Sequence, residues 1–254
     1  LYTTFRVNMC IQKKHTLNFE RQEISMKHTA FGIEVEFTGI TRAKAADVVA
    51  NFLGGTIEKT YNSYDCHKIT AQDNRVWQIM SDASIRAEKK ENGQIVSADK
   101  SYSVELVSPI LTYENDIEIL QEMIRQLRHA CGFSNNSCGI HLHLSGANHT
   151  PQSIRNFINI IASKNDLFYK ALEIEPNRAR YCRELDSLLV QKMNFQKPKT
   201  FSDIAKIWYE GYGEDTSRKY HSSRYHFLNL HSFFQGNHTV ELRGFNSELH
   251  AGKI

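Results

Sequence analysis

The chain has 254 residues, of which 41% are hydrophobic and 23% are charged, and its formal net charge is only +3. This composition excludes wholesale disorder, and the length suits one large domain or two small ones. The small net charge gives no reason to expect a nucleic-acid or membrane partner. Because no apolar run resembles a secretory signal or a membrane span, and the five cysteines form no close metal-binding pair, we expect a cytoplasmic protein.

Residues 1–25 differ from the rest of the chain. They are polar, show no sustained period and contain no Gly or Pro. One hypothesis is that Met26 is the natural start and that residues 1–25 form an N-terminal arm that is flexible or not native. Residues 26–254 are then expected to form a single catalytic domain.

The remaining sequence predicts mixed helices and strands. Helical spacing and capping residues predict helices from Thr41 to Gly54, over 114–131 with Gly132 as the cap, after Thr150-Pro151, from Arg178 to Gln191, and from Ser202 to Trp208. Strands are expected over 31–37, 75–80, 101–111, 139–145 and 225–243, a turn or loop over 88–99, and a mobile loop over 211–222.

Four of these segments alternate apolar and polar residues with a period of two, so a strand would send the polar positions to one face. Because the other face of each strand is apolar, we expect an antiparallel sheet with helices packed on that face. The polar face would then carry four carboxylates, two imidazoles and a guanidinium, which suits a hard cation together with an anionic ligand. These positions are Glu34, Glu36, Glu105, His141, His143, Glu241 and Arg243.

The glutamate pair and the histidine pair of these strands also have simpler interpretations. Glu34 and Glu36, about 7 Å apart along one strand face, could form a solvated surface. However, Glu is depleted in strands, and two like charges repel each other unless a cation compensates. His141 and His143 could be ordinary hydrogen-bonded strand histidines, or they could bind a transition metal such as zinc.

The remaining positions are equally ambiguous when each is taken alone. Glu241 and Arg243 could form a same-face ion pair of modest value, or a metal-binding carboxylate beside an arginine that grips phosphate. Asp82 follows a predicted strand and could be a simple turn residue. The occurrence of all these patterns in one chain is what favours a functional site.

Seven motifs in a fixed order resemble the amidoligase family, which comprises carboxylate–amine ligases related to glutamate–cysteine ligase and glutamine synthetase. The resemblance covers about residues 31–254. The motifs are G-x-E-x-E at Gly32–Glu36, W-x-x-x-x-D-x-S at Trp77–Ser84, E-L-V-S-P at Glu105–Pro109, G-x-H-x-H at Gly139–His143, R-x-x-Y-C at Arg178–Cys182, Y-x-x-x-N-L at Tyr225–Leu230 and V-E-L-R-G-F at Val240–Phe245.

The resemblance implies an α+β fold: a glutamine-synthetase-like catalytic domain whose curved antiparallel sheet carries helices on one face and forms a wall of an ATP site. It implies ATP and Mg²⁺ or Mn²⁺ as cofactors. The substrates would be a carboxylate and an amine, from an amino acid or peptide, joined through an acyl phosphate. It also implies that the chain stops near the start of the family's closing helix, so that this C-terminal helix is truncated.

Residue roles follow from the same resemblance. Arg243 and Arg178 would stabilise the transferring phosphoryl group, with Glu36 as a catalytic carboxylate, and His141, His143 and Asn229 would contact the cofactor or substrate. The implied metal ligands are Glu34, Glu36, Glu105, His141, His143 and Glu241. Two alternatives remain open: a metal-dependent hydrolase that uses the same His/Glu cluster without ATP, and a relative that binds ligands but has lost catalysis.

Overall fold

The computed structural model describes residues 26–60 and 62–254. The hypothesis about residues 1–25 therefore lies outside the described residues. The described chain mixes helices with one large open sheet and a separate two-stranded hairpin. The predicted α+β class is confirmed, whereas the glutamine-synthetase-like fold and the curvature of the sheet stay predictions.

The large sheet has nine strands in the order β10-β11-β9-β1-β7-β4-β3-β2, with the short β8 pairing to β1. Every pairing between these strands is antiparallel, as the alternation predicted. The strands are β1 (Ala30–Phe37), β2 (Thr56–Thr60), β3 (Cys66–Thr70), β4 (Val76–Met80), β7 (Val104–Val107), β8 (Leu111–Thr112), β9 (Gly139–Ser145), β10 (Leu228–Asn229) and β11 (Thr239–Asn246); the hairpin is β5 (Glu88–Glu91) with β6 (Gln94–Ser97).

Six α-helices are found among the described residues: α1 (Arg42–Leu53), α2 (Tyr113–His129), α3 (Pro151–Ser163), α4 (Asn165–Ala171), α5 (Ser187–Gln196) and α6 (Phe201–Tyr209). Local signals begin and end several of them. The Thr41 hydroxyl accepts a hydrogen bond from the backbone N–H of Lys44, and Gly54 ends α1 in the left-handed conformation. Thr150 and Ser153 form a capping box at α3, so both predicted helix starts are confirmed.

The helices cover the apolar face of the sheet in two groups. Ile33, Val35 and Phe37 of β1 are buried against α1 and α2. At the other end of the sheet, Val240 of β11 packs against apolar side chains from α3, α5 and α6. Because Val240 lies directly opposite Leu144, which in turn lies opposite Phe31, these side chains share one face of the sheet. The opposite, polar face carries the candidate site.

Three local predictions are wrong. The segment predicted as a turn or loop over 88–99 forms the β5–β6 hairpin, in which Asn92 and Gly93 both adopt positive φ, as a tight two-residue turn requires. The predicted helix from Arg178 to Gln191 begins only at Ser187, because the side chain of Asp186 caps it there. The left-handed residue after α2 is Cys131 rather than Gly132.

Strand boundaries also differ from the prediction. The segment 101–111 contains β7 and the first residue of β8. The strands predicted over 225–243 are β10 and β11, with an irregular helical turn at Phe233–Asn237 between them. The strands β2 and β3 had no sequence prediction. In the described part of the chain, no helix is both long and apolar enough to cross a membrane; the cytoplasmic location and the truncated closing helix stay predictions.

Candidate functional site

Strand register brings the seven alternating polar residues together. Glu34 of β1 lies opposite His141 of β9, and Glu36 lies opposite Glu105 of β7. On the other side of β9, His143 lies opposite Glu241 of β11. Direct cross-strand partners have their side chains on one face and about 5 Å apart, so a polar cluster forms across four adjacent strands.

Glu34 joins the two histidines. One carboxylate oxygen lies 2.8 Å from Nδ1 of His141, and the other lies 3.1 Å from Nε2 of His143. Burial alone would raise the pKa of Glu34, but the hydrogen bonds from both imidazoles outweigh it and hold this pKa well below its usual value. Burial lowers the pKa of His141, whereas the contact with Glu34 overcomes burial and raises the pKa of His143.

Glu36 and Glu105 have little positive charge to compensate them. The carboxylate of Glu36 is almost fully buried and accepts a hydrogen bond of 2.6 Å from the backbone N–H of Gly139. Burial, followed by the charge of Asp82, raises the pKa of Glu36 to about 8. Burial and the charges of Glu34 and Glu36 raise the pKa of Glu105 well above its usual value. A cation at this position would relieve both effects.

Glu241 differs from Glu36 and Glu105, because hydrogen-bond donors contact both of its carboxylate oxygens. Arg243 donates a hydrogen bond from Nη1 to one carboxylate oxygen, and Asn229 donates from Nδ2 to the other at 2.5 Å. All three side chains are buried. Burial would raise the pKa of Glu241, but the charge of Arg243 outweighs it and lowers this pKa. Glu241 is therefore an ionised carboxylate even without a bound cation.

A β-bulge separates Arg243 from the following part of β11. The register between β11 and β9 shifts by one residue between Leu242 and Phe245, and such bulges often lie next to functional sites. The buried guanidinium of Arg178 donates hydrogen bonds to the carbonyl oxygens of Arg243, at 2.9 Å, and of Phe245. A Cβ on Gly139 would overlap this guanidinium, so the glycine makes room for it.

The structure therefore places Arg178 against the backbone of the bulge. Both of its terminal nitrogens are used in these bonds, and its contact with a phosphoryl group stays a prediction. Arg243 differs, because its Nη2 makes no hydrogen bond within the described residues. Of the two predicted arginines, Arg243 has the donor available for a ligand.

Three groups of side chains have ligand atoms close enough to hold a metal ion, all within 4.8 Å of one another. Asp82, for which the sequence offers a simple turn role, belongs to one of them. It is also a turn residue, since its Oδ1 accepts a hydrogen bond of 2.6 Å from the backbone N–H of Ser84. The groups are Glu34 with Glu105 and His141, Glu34 with His143 and Glu241, and Glu36 with Asp82 and Glu105.

The fold and site define an α+β protein with a buried carboxylate–histidine–arginine cluster on the polar face of an antiparallel sheet. The model of the family described as "Putative amidoligase enzyme" matches residues 27–254, and the chain belongs to this family. The match confirms the family to which the ordered motifs pointed, and it assigns the chain to a ligase-type class of enzymes. No curated protein matches the chain.

Proposed function

We propose that this protein is an ATP-dependent carboxylate–amine ligase that forms an amide or peptide-like bond through an acyl phosphate. The observation that carries the proposal is the convergence of three overlapping carboxylate-rich ligand groups and Arg243 on one sheet face. Phosphoryl transfer requires mainly positioning and the neutralisation of negative charge by metal ions and arginines. Family membership supports the ligase class.

The donor set fits Mg²⁺ or Mn²⁺. Seven of the nine ligand positions in the three groups are carboxylates, and these are the oxygen ligands that hard cations prefer. The raised pKa values of Glu36 and Glu105 indicate a site that lacks positive charge on that side. Divalent ions held by these carboxylates would supply positive charge that stabilises the phosphoryl group during transfer.

The side chains of the chain itself then take distinct roles. We assign Glu34, Glu105 and Glu241 to metal binding, together with His141 and His143 on either side of Glu34. Arg243 is placed by its ion pair with Glu241, and we assign its unused Nη2 to an oxygen of the transferring phosphoryl group. Asn229 holds Glu241 from the other side through its side-chain amide.

The reaction proposed has two steps. A substrate carboxylate oxygen attacks the γ-phosphorus of ATP, giving an acyl phosphate and ADP. The amine then attacks the acyl carbon, phosphate leaves with the carbon–oxygen bond pair, and the amine loses a proton. Glu36 is our candidate to accept this proton or to join the metal ligands, because its carboxylate lies beside those of Asp82 and Glu105 in one of the ligand groups.

The direct test measures ADP release in the presence of Mg²⁺ while pools of amino acids and peptides are offered as acids and amines. We expect release that rises strongly only when both substrates are present, and that is lost in Glu241→Gln. The matched control is Glu248→Gln, because Glu248 lies on the surface in an ion pair with Lys253. Amide cleavage without nucleotide would instead favour the metal-dependent hydrolase, and ligand binding without turnover would favour the inactive relative.

A further inference from the structure

A group of cationic and phenolic side chains lies outside the acidic cluster and has no part in the proposed chemistry. We name it the tyrosine–cation cluster: Tyr64, Lys219, Tyr220 and Arg224. The ammonium of Lys219 donates a hydrogen bond of 2.9 Å to the hydroxyl of Tyr64 and lies 4.4 Å from the centre of its ring. The hydroxyls of Tyr64 and Tyr220 are hydrogen-bonded to each other.

Within residues 26–60 and 62–254, the two cations of this cluster have no anionic partner. Neither Lys219 nor Arg224 has a carboxylate oxygen within 4.0 Å in the described part of the chain. The guanidinium of Arg224 lies 5.3 Å from the ring centre of Tyr220, and its Nε is buried without any hydrogen-bond partner among the described residues. A buried donor of this kind loses its hydration and gains nothing in return. The cluster therefore presents donors that suit an anion.

Backbone hydrogen bonds connect Tyr64, and Arg218 next to Lys219, with residues beside the candidate site. The carbonyl oxygen of Tyr64 accepts a hydrogen bond of 2.9 Å from the backbone N–H of Ser81, which directly precedes Asp82. On the other side, the carbonyl oxygen of Arg218 accepts a hydrogen bond of 3.0 Å from His231. The backbone N–H of His231 donates to Asn229, which in turn donates to Glu241.

A chain of contacts also connects the cluster with Arg243. Arg224 lies 6.0 Å from the ring of Tyr225, which packs edge-on against Tyr181 with ring centres 6.0 Å apart. The carbonyl oxygen of Tyr181 accepts a hydrogen bond of 3.4 Å from Nε of Arg243. Arg224 is thus connected with Arg243, the proposed phosphate-binding arginine, through the rings of Tyr225 and Tyr181.

We propose that the tyrosine–cation cluster is an anion-binding subsite at the edge of the candidate site, and that its ligand is an oxyanion carried by a substrate. The inference rests on the proposed function, which supplies two sources of such a group: a phosphate of the nucleotide and a carboxylate of the acid. When the oxyanion binds, the ammonium of Lys219 donates a hydrogen bond to it instead of to the hydroxyl of Tyr64. Arg224 donates a hydrogen bond to the same oxyanion from Nε. Hydrogen bonds between ionised partners are stronger than the contacts with neutral phenols that they replace.

The test measures the affinity of the full-length protein for two probes by calorimetry without metal: inorganic pyrophosphate and succinate. We expect Lys219→Gln and Arg224→Gln each to weaken binding about tenfold, as the loss of one charge-assisted hydrogen bond does, and Lys219→Arg to restore it. Tyr64→Phe removes the competing oxygen, so it should tighten binding about threefold. A purely structural role for the cluster would not produce this opposite sign.

The matched control is Lys206→Gln, since Lys206 is an exposed lysine on α6 that is paired with Asp203. It should bind both probes as the wild-type protein does. If Lys219→Gln and Arg224→Gln lose affinity for pyrophosphate alone, the subsite binds the nucleotide. If they lose affinity for succinate alone, it binds the acid. Wild-type affinity in Lys219→Gln and Arg224→Gln for both probes, or an equal loss in Lys206→Gln, overturns the proposal.

This experiment separates the subsite from the proposed ligase function. If ADP release fails for every pair of substrates while the Lys219 and Arg224 variants still lose pyrophosphate or succinate binding, the ligase proposal fails and the anion subsite stands. If ADP release depends on Glu241 but no probe responds to Lys219 or Arg224, the ligase proposal stands and the subsite fails.

Discussion

Gly139→Ala tests whether the Arg178 side chain holds the β-bulge beside Arg243. The new methyl group would overlap the buried guanidinium and push it away from the carbonyl oxygens of Arg243 and Phe245. Overpacking of a close-packed interior costs about 1–3 kcal/mol, and a hydrogen bond from a charged donor contributes about 1.5–3 kcal/mol. We expect the free energy of unfolding to fall by about 3 kcal/mol.

The assay is urea unfolding, with Gly32→Ala as the matched control. Gly32 also lies in a strand of the same sheet, but a Cβ there would meet no atom nearer than 3.8 Å. This control should change the free energy of unfolding by less than about 1 kcal/mol, because added side-chain bulk is harmless where space exists and reduces the entropy of the unfolded chain.

A double-mutant cycle identifies the cause of the loss. In an Arg178→Ala background the guanidinium is absent, so Gly139→Ala should then cost little, and the two changes should be strongly non-additive. If Gly139→Ala is as stable as the wild-type protein, or if its cost is the same with and without Arg178, the arginine does not hold the bulge in the way that the structure shows.

Three further predictions concern the charged cluster. In metal-free protein, Glu105→Gln should keep or raise stability, because glutamine is uncharged like the carboxyl form that burial and the neighbouring charges favour, as the raised pKa of Glu105 indicates. Glu241→Gln should lower stability by about 2 kcal/mol, because Arg243 loses its ionised partner. Thermal unfolding in EDTA measures both, and equal effects would contradict the assigned charges. The pKa of Glu36 is raised from 4.5 to about 8 in the folded protein, so between these pH values the folded protein holds a proton that the unfolded chain has lost. Metal-free stability should therefore fall as the pH rises from about 4.5 to about 8. Urea unfolding should show a smaller fall in Glu36→Gln, and an unchanged fall would refute this assignment. Arg243→Lys should reduce ADP release about 100-fold, as loss of one preorganised transition-state donor does, while the exposed Arg86→Lys should not; normal release would remove Arg243 from phosphate binding.

Local signals predicted the parts of the fold that depend on near neighbours in sequence. Thr41 and Thr150 cap their helices through bonds to residues three positions away, so the sequence contains both partners. Alternation likewise assigned Glu34 and His141 to the polar side of their strands. The Asn92-Gly93 pair carried a hairpin signal as well, but the polar residues around it led to a predicted loop.

The sequence did not predict which residues lie opposite each other on neighbouring strands. That Glu36 lies opposite Glu105, and so acquires a raised pKa, depends on the register between β1 and β7. Asp82 has a sufficient local explanation in its bond to Ser84, which concealed its place beside Glu36 and Glu105. The bulge near Arg243 changes no residue type, so nothing in the sequence showed that Arg178 would be bound to backbone carbonyls.

The central claim is that the protein joins an acid and an amine through an acyl phosphate, and an isotope-transfer experiment tests it most directly. The acid identified by ADP release is labelled with ¹⁸O in its carboxylate, and the phosphate formed in the complete reaction is analysed by mass spectrometry. Because the carboxylate oxygen that attacks the γ-phosphorus leaves with it, the account predicts one ¹⁸O atom in each released phosphate. Amide formation with ADP release but unlabelled phosphate would contradict the acyl-phosphate mechanism.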